Sequence, residues 1–313
     1  MIATVLKSGL HTTIQDLGRT GQRHFGIPQS GAADPISFAL ANAAIGNPPN
    51  AAALECTLNG PTIRFSAECE IALAGAPMKA LLNDEALEFY RPIKVSPGDI
   101  LSIGAAPIGA RCYIAFASGL AGQRFLNSVS TYPPALIGGL DGHPIRADDT
   151  LSLMGLETIS PKDIPTDYRP VIAHDFFLRA LEGPEFEQLS EKSQRQLFSG
   201  AWTIGRRADR MGLQLEGNPL ALDTHKPMAS SAVFPGTVQC PADGSPFLLS
   251  VDAQTIGGYP RIAQIIAADL PLLGQMRPGD KLWFQKITPS EARDITATKS
   301  ALLGAYLPGG FVR

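Results

Sequence analysis

Apolar and polar residues alternate along much of this chain in short stretches, the period-2 pattern of half-buried strands. In the first half the pattern predicts strands at Ile2–Leu6, Thr62–Phe65, Glu70–Ala74, Ile100–Ile103 and Arg111–Ala117. In the second half it predicts Trp202–Ile204, Phe247–Val251, Ile262–Ala267 and Lys281–Gln285. Residues from Gly9 to Ala33 read as a polar, glycine-containing loop. The period changes to that of a helix after Asp34, where Ile36, Leu40, Ala44 and Ile45 form one apolar face. Asp34 is suited to accept from the free N–H groups of the first turn, Pro35 to the first helical position and Gly46 to the position past the end. A second helix is expected from Pro184 to about Phe198, with Gly200 beyond it.

The chain has 313 residues, enough for about two domains. The polar, proline-rich stretch at 155–170 is the best linker, which divides the chain into 1–157 and 171–313 with a linker at about 158–170. Ser96-Pro97-Gly98-Asp99 and Arg277-Pro278-Gly279-Asp280 echo one another ahead of alternating segments. Pro then Gly fits the central positions of a type II turn, Pro presetting φ and Gly supplying φ > 0. With 31 glycines and 26 prolines the chain is turn-rich. The expected fold is therefore mainly β with a few short helices.

Charge narrows the function. A formal net charge of −3 lacks the basic excess that nucleic acid or an anionic membrane calls for. No signal peptide or membrane-spanning segment is read, so a cytoplasmic location is expected. Cys56, Cys69, Cys112 and Cys240 are scattered, as free thiols of a reducing compartment would be. The five histidines lack metal-ligand spacing, so no metal site is expected. Phosphate-binding G-x-x-x-x-G-K-[ST], dinucleotide-binding G-x-G-x-x-G, H-E-x-x-H and G-x-S-x-G motifs are absent.

Four polar clusters remain. In the first, Gln15-Asp16-Leu17-Gly18-Arg19-Thr20-Gly21 continues to Ser30-Gly31-Ala32-Ala33-Asp34. Its glycines allow close backbone approach to a ligand, and Asp16 is placed to orient Arg19; a surface loop with an ordinary ion pair has the same composition. In the second, Asn47 and Glu55 read either as a ligand pair or as a helix cap and a solvated strand-end acid. The third, Arg206-Arg207-Ala208-Asp209-Arg210-Met211-Gly212, offers three guanidiniums to an anion, or is a salt-bridged turn. The fourth, Asp252-Ala253-Gln254-Thr255-Ile256-Gly257-Gly258-Tyr259-Pro260-Arg261, follows an apolar strand. Gln254 and Thr255 offer neutral donors and acceptors to an amide or lactam, and Tyr259 a hydroxyl or a ring face.

At these clusters the sequence resembles a known family over nearly its whole length. T-I-Q-D-L-G-R-T-G (13–21), S-G-A-A-D (30–34), A-N-A-A-I-G-N-P (41–48) and A-L-E-C-T-L-N-G-P (53–61) look like its N-terminal signature. D-R-M-G-L-Q-L-E-G (209–217), P-G-T-V-Q-C-P-A-D-G-S-P (235–246) and D-A-Q-T-I-G-G-Y-P-R-I-A (252–263) look like its C-terminal one. The family is the biotin-dependent carboxyltransferase-like group, which takes in the C subunits of 5-oxoprolinases, allophanate hydrolase subunit 2 and KipA-like proteins. Two departures stand out: only Arg210, Met211 and Gly212 match comfortably in the arginine cluster, and Cys240 replaces an aliphatic residue.

The resemblance implies two β-barrel-like domains, the C-terminal one cyclophilin-like. It implies A and B subunits as partners, the B subunit being KipI-like, and ATP-dependent opening of 5-oxoproline to glutamate. A component of urea or allophanate metabolism, or a regulatory partner without chemistry of its own, is the alternative. Met78-Lys79 lacks the biotinyl-lysine context, so no covalently attached biotin is expected on this chain. Under this reading Arg19 and Arg210 face developing phosphate charge, and Gln254, Thr255 and Tyr259 face the ring amide. Asp16 or Asp252 orients an arginine or holds the magnesium of MgATP, and loops of both halves line one polar pocket.

Overall fold

The computed structural model describes residues 2–223 and 228–307; His225 lies outside them. The described residues form two compact units. One is drawn from residues 2–19, 30–172 and 305–307, the other from residues 20–29, 173–223 and 228–304. Ten residues of the N-terminal region, 20–29, thus belong with the second unit. No helix among the described residues is long and apolar enough to cross a membrane.

The first unit carries β1 (Ala3–Lys7), β2 (His11–Gln15), helix α1 (Pro35–Ala44), β3 (Ala53–Thr57), β4 (Thr62–Phe65) and β5 (Cys69–Gly75). It continues with β6 (Ala80–Leu82), β7 (Glu85–Ala86), β8 (Ile93–Val95), β9 (Ile100–Ile103), β10 (Arg111–Phe116) and β11 (Thr150–Leu151). These strands make a six-stranded sheet, β11-β1-β4-β9-β6-β7, and a five-stranded sheet, β2-β3-β10-β5-β8. Val5, Ile63, Phe65 and Leu101 of the first sheet share one apolar core with Ile14, Leu54, Ile114 and Phe116 of the second.

The other face of the five-stranded sheet is polar yet buried. Thr13 pairs with Glu55, and Glu55 with Tyr113, in one cross-strand row. Helix α1 closes over this face, with the Phe38 ring edge-on to Tyr113 at 5.8 Å. Its start is as the sequence predicts: Asp34 accepts from the Ile36 and Ser37 N–H groups, both at 3.1 Å. Its end is too, with Gly46 at φ 71°.

Three strands of this sheet, β2, β3 and the short β8, lie where the alternation does not mark them. β2 falls inside the segment read as a loop, and β3 runs through Glu55. Both bury polar side chains on the layer under α1, so neither shows a solvent face. Glu55 is correspondingly no solvated acid. At 1% exposure it accepts from Ala33 N–H and from the Tyr113 hydroxyl, both at 2.8 Å.

The second unit is a closed barrel. Its strands are β12 (Asp175–Glu182), β13 (Trp202–Ala208), β14 (Gly212–Glu216), β16 (Thr237–Gln239), β17 (Phe247–Leu249), β19 (Arg261–Ile265) and β20 (Lys281–Lys286). β15 (Ser231–Ala232) and β18 (Ile256–Gly257) form a separate two-stranded ribbon. Around the barrel the order is β12-β19-β16-β17-β14-β13-β20, closed by a parallel β12–β20 pair. Phe176, Leu178, Trp202, Ile204, Leu213, Val238, Leu248, Ile262 and Leu282 fill it.

The second helix is shorter than its pattern suggests. α2 covers Glu191–Ser199, because the Ser190 hydroxyl caps the chain there by accepting from Ser193 N–H at 3.3 Å. A single 3-10 turn, Phe186–Gln188, precedes it. Helix α3 (Pro289–Leu303), which the apolar pattern does not mark, starts at a capping box between Thr288 and Glu291. The two echoed turns are alike in detail. Gly98 has φ 93° and Gly279 φ 94°, and Asp99 and Asp280 each close the turn by an N–H bond of 3.1 Å to residues Ser96 and Arg277.

The four cysteines are free, and burial raises their thiols: Cys56 and Cys240 to about 12, Cys69 to about 11, and Cys112 well above its ordinary value. Groups so protonated at neutral pH are poor nucleophiles.

Candidate functional site

Asp16 and Arg19 belong to the first unit; Arg210, Asp252, Gln254, Thr255 and Tyr259 belong to the second. In the first unit, Gln15–Arg19 leaves the end of β2 and is stitched to residues 128–131. The Asp16 carboxylate accepts from Gly18 N–H at 2.8 Å, Ser128 Oγ at 2.6 Å, Val129 N–H at 2.9 Å and Ser130 Oγ at 2.5 Å. Arg19, 1% exposed, donates through Nη2 to the Ser130 carbonyl. Gln15 Nε2 reaches the next carbonyl, Thr131 O, at 3.1 Å. The expected fork between Asp16 and Arg19 is therefore replaced by a shared anchor. Four short donors saturate the carboxylate, and the guanidinium turns to main chain instead.

In the second unit the loop 252–261 is pinned at both ends by carboxylate–guanidinium forks. Arg210 donates from Nε and Nη2 to Asp252 at 2.7 and 3.1 Å, with both groups buried. Asp252 N–H also donates to the Arg210 carbonyl at 2.7 Å. At the far end Arg261 Nε and Nη2 donate to Glu185 at 2.8 and 2.6 Å. The other arginines of the third cluster do not converge on Arg210. Arg206 and Arg207 are exposed, and Arg207 bonds Gln214 at 3.0 Å. Asp209 instead closes its own turn, accepting from Met211 and Gly212 N–H groups.

Between the pins, Gln239 of β16 holds the loop. Its Oε1 accepts from Gln254 Nε2 at 3.1 Å, and its Nε2 donates to the Tyr259 carbonyl at 3.3 Å. Gly257 lies against this amide, and a Cβ there would stand 2.5 Å from Gln239 Nε2. The Thr255 carbonyl accepts from Val233 N–H at 3.1 Å. Tyr259 is 53% exposed. Among the described residues neither the Thr255 nor the Tyr259 hydroxyl makes a hydrogen bond to protein.

Arg23 is the group that sequence reasoning missed. It sits on a 3-10 turn, Arg23–Phe25, within the ten residues that join the second unit. Its Nη2 donates to the carbonyls of Val233 at 2.6 Å and Gln254 at 3.1 Å. Its only local signal is a cation two residues past the T-I-Q-D-L-G-R-T-G signature.

The Glu185–Arg261 fork is expected to respond to pH. Hydrogen bonding from Arg261 holds the Glu185 carboxyl below its ordinary value of 4.5. A depressed folded-state pKa gives stability that is present above the unfolded value and lost as pH falls through the folded one. Wild type is expected to exceed Glu185→Gln in urea midpoint at pH 7, the gap closing as pH falls below about 4.5. A gap that stays constant through that acid range contradicts it.

Neither candidate carboxylate fits a resident magnesium ion: Asp16 is saturated by four donors, and Asp252 is neutralised by Arg210. Among the described residues no three His, Cys, Asp or Glu side chains gather as a metal-ligand set.

Comparison with known proteins agrees with the motifs. The model of the carboxyltransferase domain, subdomain A and B, matches residues 25–286. The chain is 37% identical to the C subunit of 5-oxoprolinase from Haemophilus influenzae, covering 90% of this chain and 89% of that one. It is 35% identical to the C subunit of 5-oxoprolinase from Escherichia coli, covering 92% of each. Among solved structures it superposes on the K. lactis urea amidolyase with a TM-score of 0.93 at 28% identity, covering 100% of this chain and 20% of that one. The chain thus spans about a fifth of that enzyme but nearly all of the two 5-oxoprolinase chains. It belongs to the carboxyltransferase domain family.

Proposed function

We propose that this chain is the C subunit of an ATP-dependent 5-oxoprolinase, which opens 5-oxo-L-proline to L-glutamate together with the A and B subunits in the cytoplasm. The observation that carries this reading is the end-to-end correspondence with two 5-oxoprolinase C subunits, 89% and 92% of whose own lengths are matched. The urea amidolyase likeness places the same fold inside a much longer chain.

The lactam resists water because its nitrogen lone pair is delocalised into the carbonyl. ATP, bound in the complex, phosphorylates the carbonyl oxygen in this reading and makes the ring carbon electrophilic to water. The C–N bond then breaks as nitrogen takes up a proton, and a second water hydrolyses the resulting acyl phosphate to glutamate and inorganic phosphate. What this chain contributes is a neutral, pre-set surface for the ring amide. Gln254, Thr255 and Tyr259 present it, and Gln239 fixes the loop they stand on. Arg210 and Asp252 act as positioning residues, since each satisfies the charge of the other. Asp16 and Arg19 likewise hold the loop after β2 in the first unit.

The test is reconstitution with the cognate A and B subunits. Glutamate is expected from 5-oxoproline only with all three chains and ATP, and no turnover is expected with urea, bicarbonate and a biotin-loaded carrier. Gln254→Ala is expected to cut kcat/KM about tenfold to a hundredfold while the complex stays intact, the size of one lost orienting hydrogen bond. A correctly assembled complex that releases no glutamate rejects the proposal. Turnover of urea instead favours the urea-pathway role, and assembly without any turnover favours a regulatory partner.

A further inference from the structure

Three arginines of the second unit are drawn out of solvent with a carboxylate in their fork: Arg179 on Asp269, Arg210 on Asp252 and Arg261 on Glu185. Arg23 is drawn in without one. Its Nη2 rests on two main-chain carbonyls, and its guanidinium lies 5.4 Å from the centroid of the Phe234 ring. Its Nε and Nη1 are excluded from solvent and have no hydrogen-bond partner among the described residues.

Carbonyl dipoles and a ring face offset part of the cost of desolvating a cation, but they leave its charge uncompensated. Burial accordingly lowers the Arg23 pKa, whereas the fork partners raise those of Arg179 and Arg261. A cation held this way is pre-organised for an incoming anion. The amides linked to its carbonyl partner are neutral, and the nearby Arg261, which donates to the Ala232 carbonyl, is paired with Glu185. Gln254, whose carbonyl Arg23 holds, passes its side-chain amide to Gln239, and Gln239 to the Tyr259 carbonyl. The ring over the guanidinium, Phe234, is itself 52% exposed. The ring face over the guanidinium therefore borders solvent.

We propose that Arg23 anchors an oxyanion subsite in the second unit that takes the carboxylate of a small cyclic amide, with the Gln239–Gln254 amides beside it. For 5-oxoproline this assigns the two ends of the molecule to different groups: the carboxylate to Arg23, the lactam to the 254–259 loop. That last assignment rests on the function proposed above; the oxyanion subsite itself does not.

The experiment uses the reconstituted three-chain complex and Arg23→Lys, which keeps a cation able to reach the carbonyls but removes the planar fork. KM for 5-oxoproline is expected to rise about tenfold to a hundredfold, the worth of a charge-assisted hydrogen bond. The inhibition constant of 2-pyrrolidinone, the same lactam without a carboxylate, is expected to stay within about twofold, as the lactam contacts are untouched. An equal rise in both constants means that Arg23 only props the Val233 and Gln254 loops, and overturns the proposal, as does an unchanged KM. If the complex fails to turn over 5-oxoproline, the functional reading fails separately. Calorimetric titration of the full chain with L-proline and with inorganic phosphate then decides the subsite. Carboxylate binding lost in Arg23→Lys supports it; phosphate binding without carboxylate binding, or no binding of either, overturns it.

Discussion

Asp252→Ala is expected to destabilise the second unit by about 3–5 kcal/mol, the usual result of removing one partner of a buried ion pair. The side chain of Asp252 is 4% exposed and that of Arg210 8%, so water does not replace the lost carboxylate. The variant strands a guanidinium whose Nε and Nη2 both pointed at it. Most of the loss comes from that stranded charge, not from the attraction removed. A double variant, Arg210→Met with Asp252→Leu, is therefore expected to recover at least half of the single-variant loss. Urea unfolding followed by a probe confined to the barrel, such as the fluorescence of the buried Trp202, measures both. A single-variant loss below about 1 kcal/mol, or a double variant worse than the single, would show that the pair is not the pin described.

What could be read in the sequence was local, and what could not was remote. Helix α1 is bounded by its own cap, Asp34, and its own terminator, Gly46, so the prediction needed no tertiary information. The same holds for the Pro-Gly turns before β9 and β20, each closed within four residues. The strands β2 and β3 escaped because pattern reading takes polar to mean solvated. Here Thr13, Gln15 and Glu55 are polar and fully withdrawn: Gln15 donates to Thr13 and to Thr131, and Glu55 accepts from Tyr113 and from the loop before α1. Such a layer has no signature in one chain's alternation. At the candidate site, Arg210 and Asp252 were both singled out, but as separate groups in separate clusters, since 42 residues part them. Arg23 could not be joined to the 252–261 loop at all. Its two carbonyl partners lie 210 and 231 residues away, and a carbonyl carries no residue identity to notice.

The loop that follows β2 is held by close backbone contact as much as by hydrogen bonds, and one glycine measures that contact. Gly31 has φ 92°, and a Cβ built on it would stand 2.8 Å from Gly18 N and from Leu17 C. Both atoms are main chain, and the adjacent Ala32 N–H is fixed to the Asp16 carbonyl at 2.9 Å, so neither side of the contact can retreat cheaply. Gly98 has almost the same backbone angle, φ 93°, but nothing within 4 Å of its would-be Cβ. Gly98→Ala thus carries the conformational cost alone, about 1 kcal/mol. Gly31→Ala adds overlap with fixed backbone and is expected to cost about 3 kcal/mol or more. For a unit of this size that separates the two by roughly 4–8 °C in unfolding temperature, Gly31→Ala being the lower. Calorimetric scans of the two variants beside wild type read the difference directly. Equal midpoints would mean that the Gly18–Gly31 approach is not a constraint, and that the segment from Gln15 to Arg19 is positioned by its hydrogen bonds to residues 128–131 alone.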